Sequence, residues 1–297
     1  MSIRLLNKQD TKLLKGFLSP HKTQCMFICG NLNVAGIEYK DAKFHGEYLG
    51  YFSDTSERIK GIIVHSWNGN VMMFAPDTEI LRGLVTHLKG VIKRPIAGIL
   101  GPNNQAAFVI RELGLSGKTF DINNNKKLYE INLDFLNEPN LPLSFKVVKA
   151  KEISRDLLEK WMQDYEIEAL GSKKNSDLTK RAEIEADGLI KNTDCWILIK
   201  DNIPVSLCSC NARVDDMLQI GPVWTPPEHR NQGFSKFLLA HVLAKVKREG
   251  VIKAVLFTDN PAAIKVYESI GFKIIGEYRL AILENNVLYN PKFKLNS

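Results

Sequence analysis

Leu218-Gln-Ile-Gly-Pro-Val-Trp-Thr-Pro-Pro-Glu-His-Arg-Asn-Gln-Gly-Phe-Ser-Lys236 reads as a strand, a stiff connection and the start of a long helix. Its second half suits an anion. The first N–H groups of a helix have no internal partners, and the macrodipole concentrates positive charge there. Gly233 lets a ligand approach the backbone, Asn231 tolerates left-handed geometry, and Arg230 and Lys236 add formal charge. Pro226 and Pro227 fix the approach without competing N–H groups. In the first half, Pro222 cannot donate to a sheet ladder and Gly221 invites a bulge. Pairing should fail there, opening a slot beside the neighbouring strand, Ala254–Thr258, whose free backbone groups would suit an amide-bearing chain.

Outward from this stretch, Phe145–Lys149 alternates as a strand, helices are expected near 152–165 and 177–191, and three strands follow at 195–200, 204–214 and 218–224. Asp201-Asn202 and Asp215-Asp216 sit between them as turn dipeptides, which makes an antiparallel meander. Phe234 to Glu249 is an amphipathic helix with Phe234, Leu238 and Val242 in one row. A buried strand follows, then a helix with Asn260 as N-cap, Pro261 at its first position and Gly271 past its end, then strand material from Phe272 to Leu283.

The first half gives the same order. Helices are expected near 10–18 and 22–29, strands at 47–52 and 59–65, a hairpin at Asn68-Gly69 and a strand at 71–74. A helix capped by Asp77, a strand at 96–100, a helix from Asn103 or Asn104 to Gly114 and a strand at 127–133 complete it. Asn104-Gln-Ala-Ala-Phe-Val-Ile-Arg-Glu-Leu-Gly114 even aligns by residue type with Asn260-Pro-Ala-Ala-Ile-Lys-Val-Tyr-Glu-Ser-Ile-Gly271. Chance likeness of two amphipathic helices is the competing explanation. The expected fold class is α/β (α+β), a mixed, mostly antiparallel central sheet flanked by helices in two tandem copies. The domains are expected at 1–138 and 143–297, divided at Glu138–Pro142 where prolines and asparagines interrupt any element.

Composition is compatible with two domains: 297 residues with 44% hydrophobic content. There is no apolar run of membrane-spanning length, so the chain reads as soluble and cytoplasmic, with no membrane partner. Five cysteines without paired spacing near histidines read as free buried thiols and argue against a metal site. The net charge of +7 is spread through both halves without a basic run, so an anionic small ligand explains it as well as nucleic acid does.

Val223-x-x-Pro-x-x-x-Arg-x-x-Gly-x-Ser235 followed by Asn260-x-x-Ala-x-x-x-Tyr-x-x-x-Gly-Phe272 resembles the GNAT superfamily of acetyl-CoA-dependent N-acyltransferases. The likeness is close over 218–272, extends by element order over 145–283, and is weak in the first half. The resemblance implies acetyl-CoA as acyl donor, with its pyrophosphate on Arg230, Asn231, Gln232, Gly233, Phe234, Ser235 and Lys236, and its pantetheine arm along Val223 to Thr225. Asn260 is a further candidate for the pantetheine arm. Two positions depart from the usual pattern: Ser235 stands where Gly or Ala is common, and Asn231 where another Gly is common. Tyr267 matches the tyrosine that the family uses for proton transfer to the departing thiolate; a core tyrosine is the plainer alternative. The acceptor implied is a small-molecule or peptide amine, attacked directly in a ternary complex.

For the base, Glu166, Glu168, Asp215, Asp216, Glu228 and His229 all stay open, as does water. The first half lacks an Arg-x-x-Gly turn after its 71–74 strand and carries Arg111 where Tyr267 would fall, so it reads as a degenerate copy. A CoA-binding sensor without turnover is the alternative function, and either a monomer with internal pseudo-symmetry or a homodimer would suit a tandem. Gly114–Thr119 lacks the first glycine of a phosphate loop, and Asp121–Asn125 lacks the glycine of a calcium loop and reads as a polar turn. His21, Cys25 and Cys29 at i+4 spacing read as packing.

Overall fold

A computed structural model describes residues 2–53, 56–140, 142, 144–172 and 176–289. Along the chain come β1 (Ser2–Leu5), α1 (Thr11–Leu18), α2 (Met26–Ala35), β2 (Gly46–Ser53), β3 (Ser56–Ser66), β4 (Asn70–Phe74), α3 (Thr78–Val91), β5 (Ile96–Pro102), α4 (Asn103–Glu112) and β6 (Phe120–Asn132). Then follow β7 (Phe145–Lys149), α5 (Arg155–Leu170), α6 (Ser176–Lys191), β8 (Cys195–Lys200), β9 (Ile203–Val214), β10 (Met217–Trp224), α7 (Phe234–Arg248), β11 (Lys253–Thr258), α8 (Pro261–Ser269) and β12 (Lys273–Val287). The chain divides into two compact units, one made of residues up to Lys126 together with the chain from Gly276 on, the other of Lys127–Ile275.

In the first unit the strand order is β1-β2-β3-β4-β5-β12, antiparallel except for the β4–β5 pair. The apolar rows of α3 (Leu81, Leu84, Val85, Leu88) and α4 (Ala106, Val109, Ile110) close over Leu49, Ile63, Val71, Met73 and Ile99, and β12 contributes Ala281 and Leu283. In the second unit the order is β6-β11-β10-β9-β8-β7, with β10–β11 the parallel pair. One sheet face buries Leu218, Ile220, Ala254, Leu256, Tyr129 and Ile131 under α7 (Phe234, Leu238, Leu239, Val242, Leu243, Val246) and α8. The opposite face buries Cys195, Ile197, Leu207 and Trp224 under α5 (Leu158, Trp161, Met162) and α6 (Ala182, Ala186, Leu189). Alternation along the strands divides the residues between these faces. The fold is the mixed, mostly antiparallel sheet with helices that the sequence implied.

The compact units do not follow the sequence repeat, whose border was expected at 138–142. Each repeat's last strand completes the other copy's sheet: from Lys127 on, β6 pairs with β11 in the second unit, while β12 pairs with β5 in the first. Residues 136–140 carry no regular element, and Leu141 lies outside the described residues. Three other expectations shift. The second helix, expected near 22–29, spans Met26–Ala35 and passes through Gly30; Gly36 at its C-cap takes φ +73° and donates its N–H to Leu32 O at 2.9 Å. Asp121–Asn125 is not a turn: the strand starts at Phe120, its polar residues alternating with half-buried ones at a strand face. The short β1 was not foreseen.

The exchange makes β12 part of the first unit's stability. A chain ended after Ile275 is expected to lose amide-exchange protection in β5, whose partner strand is gone, by hydrogen–deuterium exchange read on a peptide covering 96–102; unchanged protection there would contradict the pairing.

Candidate active site

The site begins where β10 breaks. Its antiparallel ladder with β9 runs Gln219↔Ala212, Ile220↔Cys210, Val223↔Cys208, with register shifts on both sides of Ile220, so Gly221 and Pro222 stand without ladder partners. Pro222 has no N–H to give, and Gly221 has φ +148° and would put a Cβ 3.0 Å from Asn211 Nδ2, so the bulge is built for glycine. The parallel ladder with β11 covers Met217↔Lys253 to Gln219↔Val255 and stops there, although β10 continues to Trp224 and β11 to Thr258. The expected slot between the two strands is therefore present.

Beyond β10, Pro226 and Pro227 lead into a single 3₁₀ turn at Pro227–His229, and Asn231 (φ +61°) and Gly233 (φ +77°) both take left-handed conformations. Gly233 is the N-cap of α7, and no side chain caps that helix. Asn231, Gln232 and Gly233 are exposed, and Ser235 and Lys236 are half-buried. A Cβ at Gly233 would stand 3.3 Å from the Phe237 ring in a backbone conformation that L side chains rarely adopt. An uncapped helix start with two left-handed residues ahead of it presents consecutive N–H groups to an anion, and the residues present fit a pyrophosphate. Phe234 offers only its N–H, because its ring is buried in the core edge-on to Phe145 at 5.6 Å.

The Arg230 side chain makes three contacts within the chain. Its guanidinium lies 5.0 Å over the Trp224 ring, donates through Nε to Thr225 O at 3.0 Å, and pairs through Nη2 with Glu168 Oε2 at 2.8 Å. Its charge is held by Glu168 on α5, and its work is to fasten the turn to the end of β10 and to α5. Thr225 is also committed: its carbonyl takes Arg230 Nε, and its hydroxyl lies 2.9 Å from Ser206 Oγ. Val223 is partly buried against the α7-side core. Asn260 performs its cap, accepting from Ala262 N at 2.9 Å and Ala263 N at 3.2 Å.

Tyr267 is buried in the α7-side core with its ring 5.9 Å from Phe272. Burial, then the nearby Tyr165 phenol and the Cys208 thiol, raise its pKa well above the ordinary phenol value. Tyr165 of α5, which sequence reasoning passed over as a helix residue, meets the Trp224 ring edge-on at 6.2 Å; burial, then Glu166 and Glu185, push its phenol up to about 12. Both phenols stay protonated at neutral pH and act as donors. Of the base candidates, Glu168 is paired with Arg230, and Glu166 accepts from Ser172 Oγ at 2.7 Å with Arg181 at 3.5 Å.

In the first unit the corresponding features are closed. The β4–β5 ladder also stops early, at Met72↔Leu100, but Gln105 of α4 then takes both backbone groups of Ala75, accepting its N–H at 2.9 Å and donating to its C=O at 2.8 Å. In the sequence alignment Gln105 falls opposite Pro261, which has no such carboxamide. The helix after β4 is capped by Asp77, which accepts Glu79 N at 2.7 Å, so two acidic side chains stand where α7 offers free N–H groups. Arg111 turns outward, its side chain 66% exposed and its guanidinium 5.2 Å over Phe108.

Residues 155–272 match the family model described as the acetyltransferase (GNAT) family. Among solved structures, a Drosophila protein is similar over 95% of this chain and 98% of its own, with 13% identity and a TM-score of 0.63. A GCN5-related N-acetyltransferase from Sphaerobacter thermophilus is similar over 97% of this chain and 98% of its own (13% identity, TM-score 0.56). A tandem GNAT protein from the clavulanic acid biosynthesis pathway is similar over 94% and 97% (13% identity, TM-score 0.51). At such identities the likeness concerns the fold. No curated protein matches the chain. No helix among the described residues is long and apolar enough to cross a membrane.

The five cysteines are free and buried. Burial pushes Cys195 up to about 12 and holds Cys25, Cys208 and Cys210 well above the usual thiol range. Folded-state pKa values above the unfolded ones favour the fold while the thiols are protonated, and that contribution is lost as pH rises past about 8.5. Native protein is expected to resist iodoacetamide at pH 8, to react fully in denaturant, and to lose stability above that pH in urea melts. A rapidly alkylated thiol in the native protein would contradict this.

Proposed function

Taking residues 155–272 as an acetyltransferase (GNAT) domain, we propose that the protein transfers an acetyl group from acetyl-CoA to the primary amine of a small molecule or peptide, by direct attack and in its second copy alone. The observation that carries this reading is the uncapped α7 start beside the β10–β11 slot. The N–H groups from Asn231 to Lys236 would hold the pyrophosphate, and the slot beside Val223 and Thr225 would take the pantetheine arm. Asn260, at the head of α8 two residues after β11, is a further candidate for the pantetheine arm.

In the reaction a C–N bond forms and the C–S bond breaks; one proton leaves the nitrogen and one reaches the sulfur. Tyr267, protonated at neutral pH, would donate a hydrogen bond to the sulfur as negative charge builds there. No side chain is assigned as base. The buried, high-pKa cysteines support direct attack over a thioester intermediate on the protein. Retention of a copy without a usable slot, with Gln105 on Ala75 and Asp77 on the α3 start, supports one donor site per chain.

The test is thiol release from acetyl-CoA across a panel of small primary amines and peptides. Amine-dependent release is expected; CoA binding without release for any amine would make the protein a CoA-binding module. Tyr267→Phe is expected to lower kcat by about 10²-fold while the Kd for CoA holds, and an equal loss of both would make the ring structural. Calorimetric titration with CoA is expected to give one site per chain; two sites would overturn the assignment to one copy.

A further inference from the structure

Among buried side-chain atoms of the unit spanning 127–275, three lack a hydrogen-bond partner among the described residues: Trp196 Nε1, Trp224 Nε1 and Gln219 Oε1. The two indoles are donors, so Gln219 Oε1 is the sole acceptor of the three. Gln219 is 1% exposed. An unmet buried acceptor is unfavourable where leucine or methionine would fill the same space without penalty, so it points to a partner supplied from outside the chain.

Its position says what partner. Gln219 is the last β10 residue in the ladder with β11, paired with Val255, and the bulge and the slot start immediately after it. Leu218 and Ile220 lie in the α7-side core that also holds Tyr267. Strand alternation therefore sends Gln219 to the opposite face, the one covered by α5 and α6, where Trp224 lies beyond the break. The group expected to face the sulfur and the orphan carboxamide thus lie on opposite faces of the sheet, beside the strand that breaks. A nucleophile adding to a thioester carbonyl approaches along one face of that group, and the side away from Tyr267 is Gln219's side.

We propose that Gln219 binds the acceptor amine, its Oε1 accepting one N–H and so turning the nitrogen lone pair toward the thioester; this rests on the acyltransferase reading above. A carboxamide does not take up the proton, so Gln219 orients the amine and leaves deprotonation to another group or to water. Being neutral, it holds the free amine and gives no ionic preference to the ammonium. The acceptor class that fits is an amine that carries an N–H as the free base, as the primary amine of the proposed reaction does.

Gln219→Met and Gln219→Leu remove the acceptor atom without taking a made hydrogen bond from the fold. With the best amine from the panel, both variants are expected to raise KM for the amine about tenfold, with the Kd for CoA unchanged and the melting temperature equal to or above that of the parent. An unchanged KM for the amine in both variants overturns the proposal while the parent's thiol release keeps the acyltransferase reading standing. Loss of CoA affinity together with a lowered melting temperature in both would make Gln219 structural and also overturn it. Absence of amine-dependent release in the parent protein removes both readings.

Discussion

The break in the sheet of the second unit depends on one missing hydrogen-bond donor. Pro222 lies inside a strand with a neighbour on each side, and Gly221 before it takes a φ of +148°, so the ladder to β9 slips and the ladder to β11 ends at Gln219. Had an ordinary residue stood there, β10 and β11 would have no local reason to part, and the sheet would offer only satisfied backbone. The break also positions the α7 turn. The strand resumes for Val223 and Trp224, the Trp224 ring becomes a platform for Arg230 on one side and Tyr165 on another, and Arg230 ties the turn to that platform and to Glu168. The turn that suits an anion is thus fixed by the strand that makes the slot.

The two copies show how little separates a ligand site from a closed one. Both have a parallel strand pair whose ladder stops early, and both follow it with a helix. In the first copy one carboxamide, Gln105, satisfies the backbone at Ala75, and one carboxylate, Asp77, satisfies the helix start. In the second, proline replaces the glutamine in the alignment, Arg230 takes only the carbonyl of Thr225, and glycine serves as the N-cap, so the α7 start has no side-chain substitute. Backbone polar groups must be satisfied by something. Where no side chain does so, the groups stay open to water or to a ligand.

Features set by near neighbours in sequence were legible before the structure. The α7 row from Phe234 to Val242, the Asn260 cap with Pro261 behind it, the Asp77 cap and the Gly221-Pro222 break all depend on residues within one or two turns of each other, and all hold. The errors arose where a choice between equals was decided elsewhere. Gly30 and Gly36 are both able to end α2, and the buried side chains of Cys29 and Leu32 carry the helix past the first. Polar alternation from Asp121 to Asn125 suits a turn or an exposed strand. Long-range partners were invisible: Glu168 for Arg230 lies 62 residues away, and Gln105 for Ala75 lies 30 away. The orphan state of Gln219 is a property of everything around it, so no motif announces it.

Strand exchange gives the first repeat a structural part in the second unit. The second unit draws β6, with the buried Tyr129 and Ile131, from the end of the first repeat, and Tyr129 donates to Glu268 of α8 at 3.2 Å. Without that strand, β11 would become an edge, its backbone groups open along Lys253–Thr258 and its core short of two large side chains. That edge adjoins the slot, since β11 is the strand from which β10 parts. The last strand of the first repeat thus flanks the strand that borders the slot.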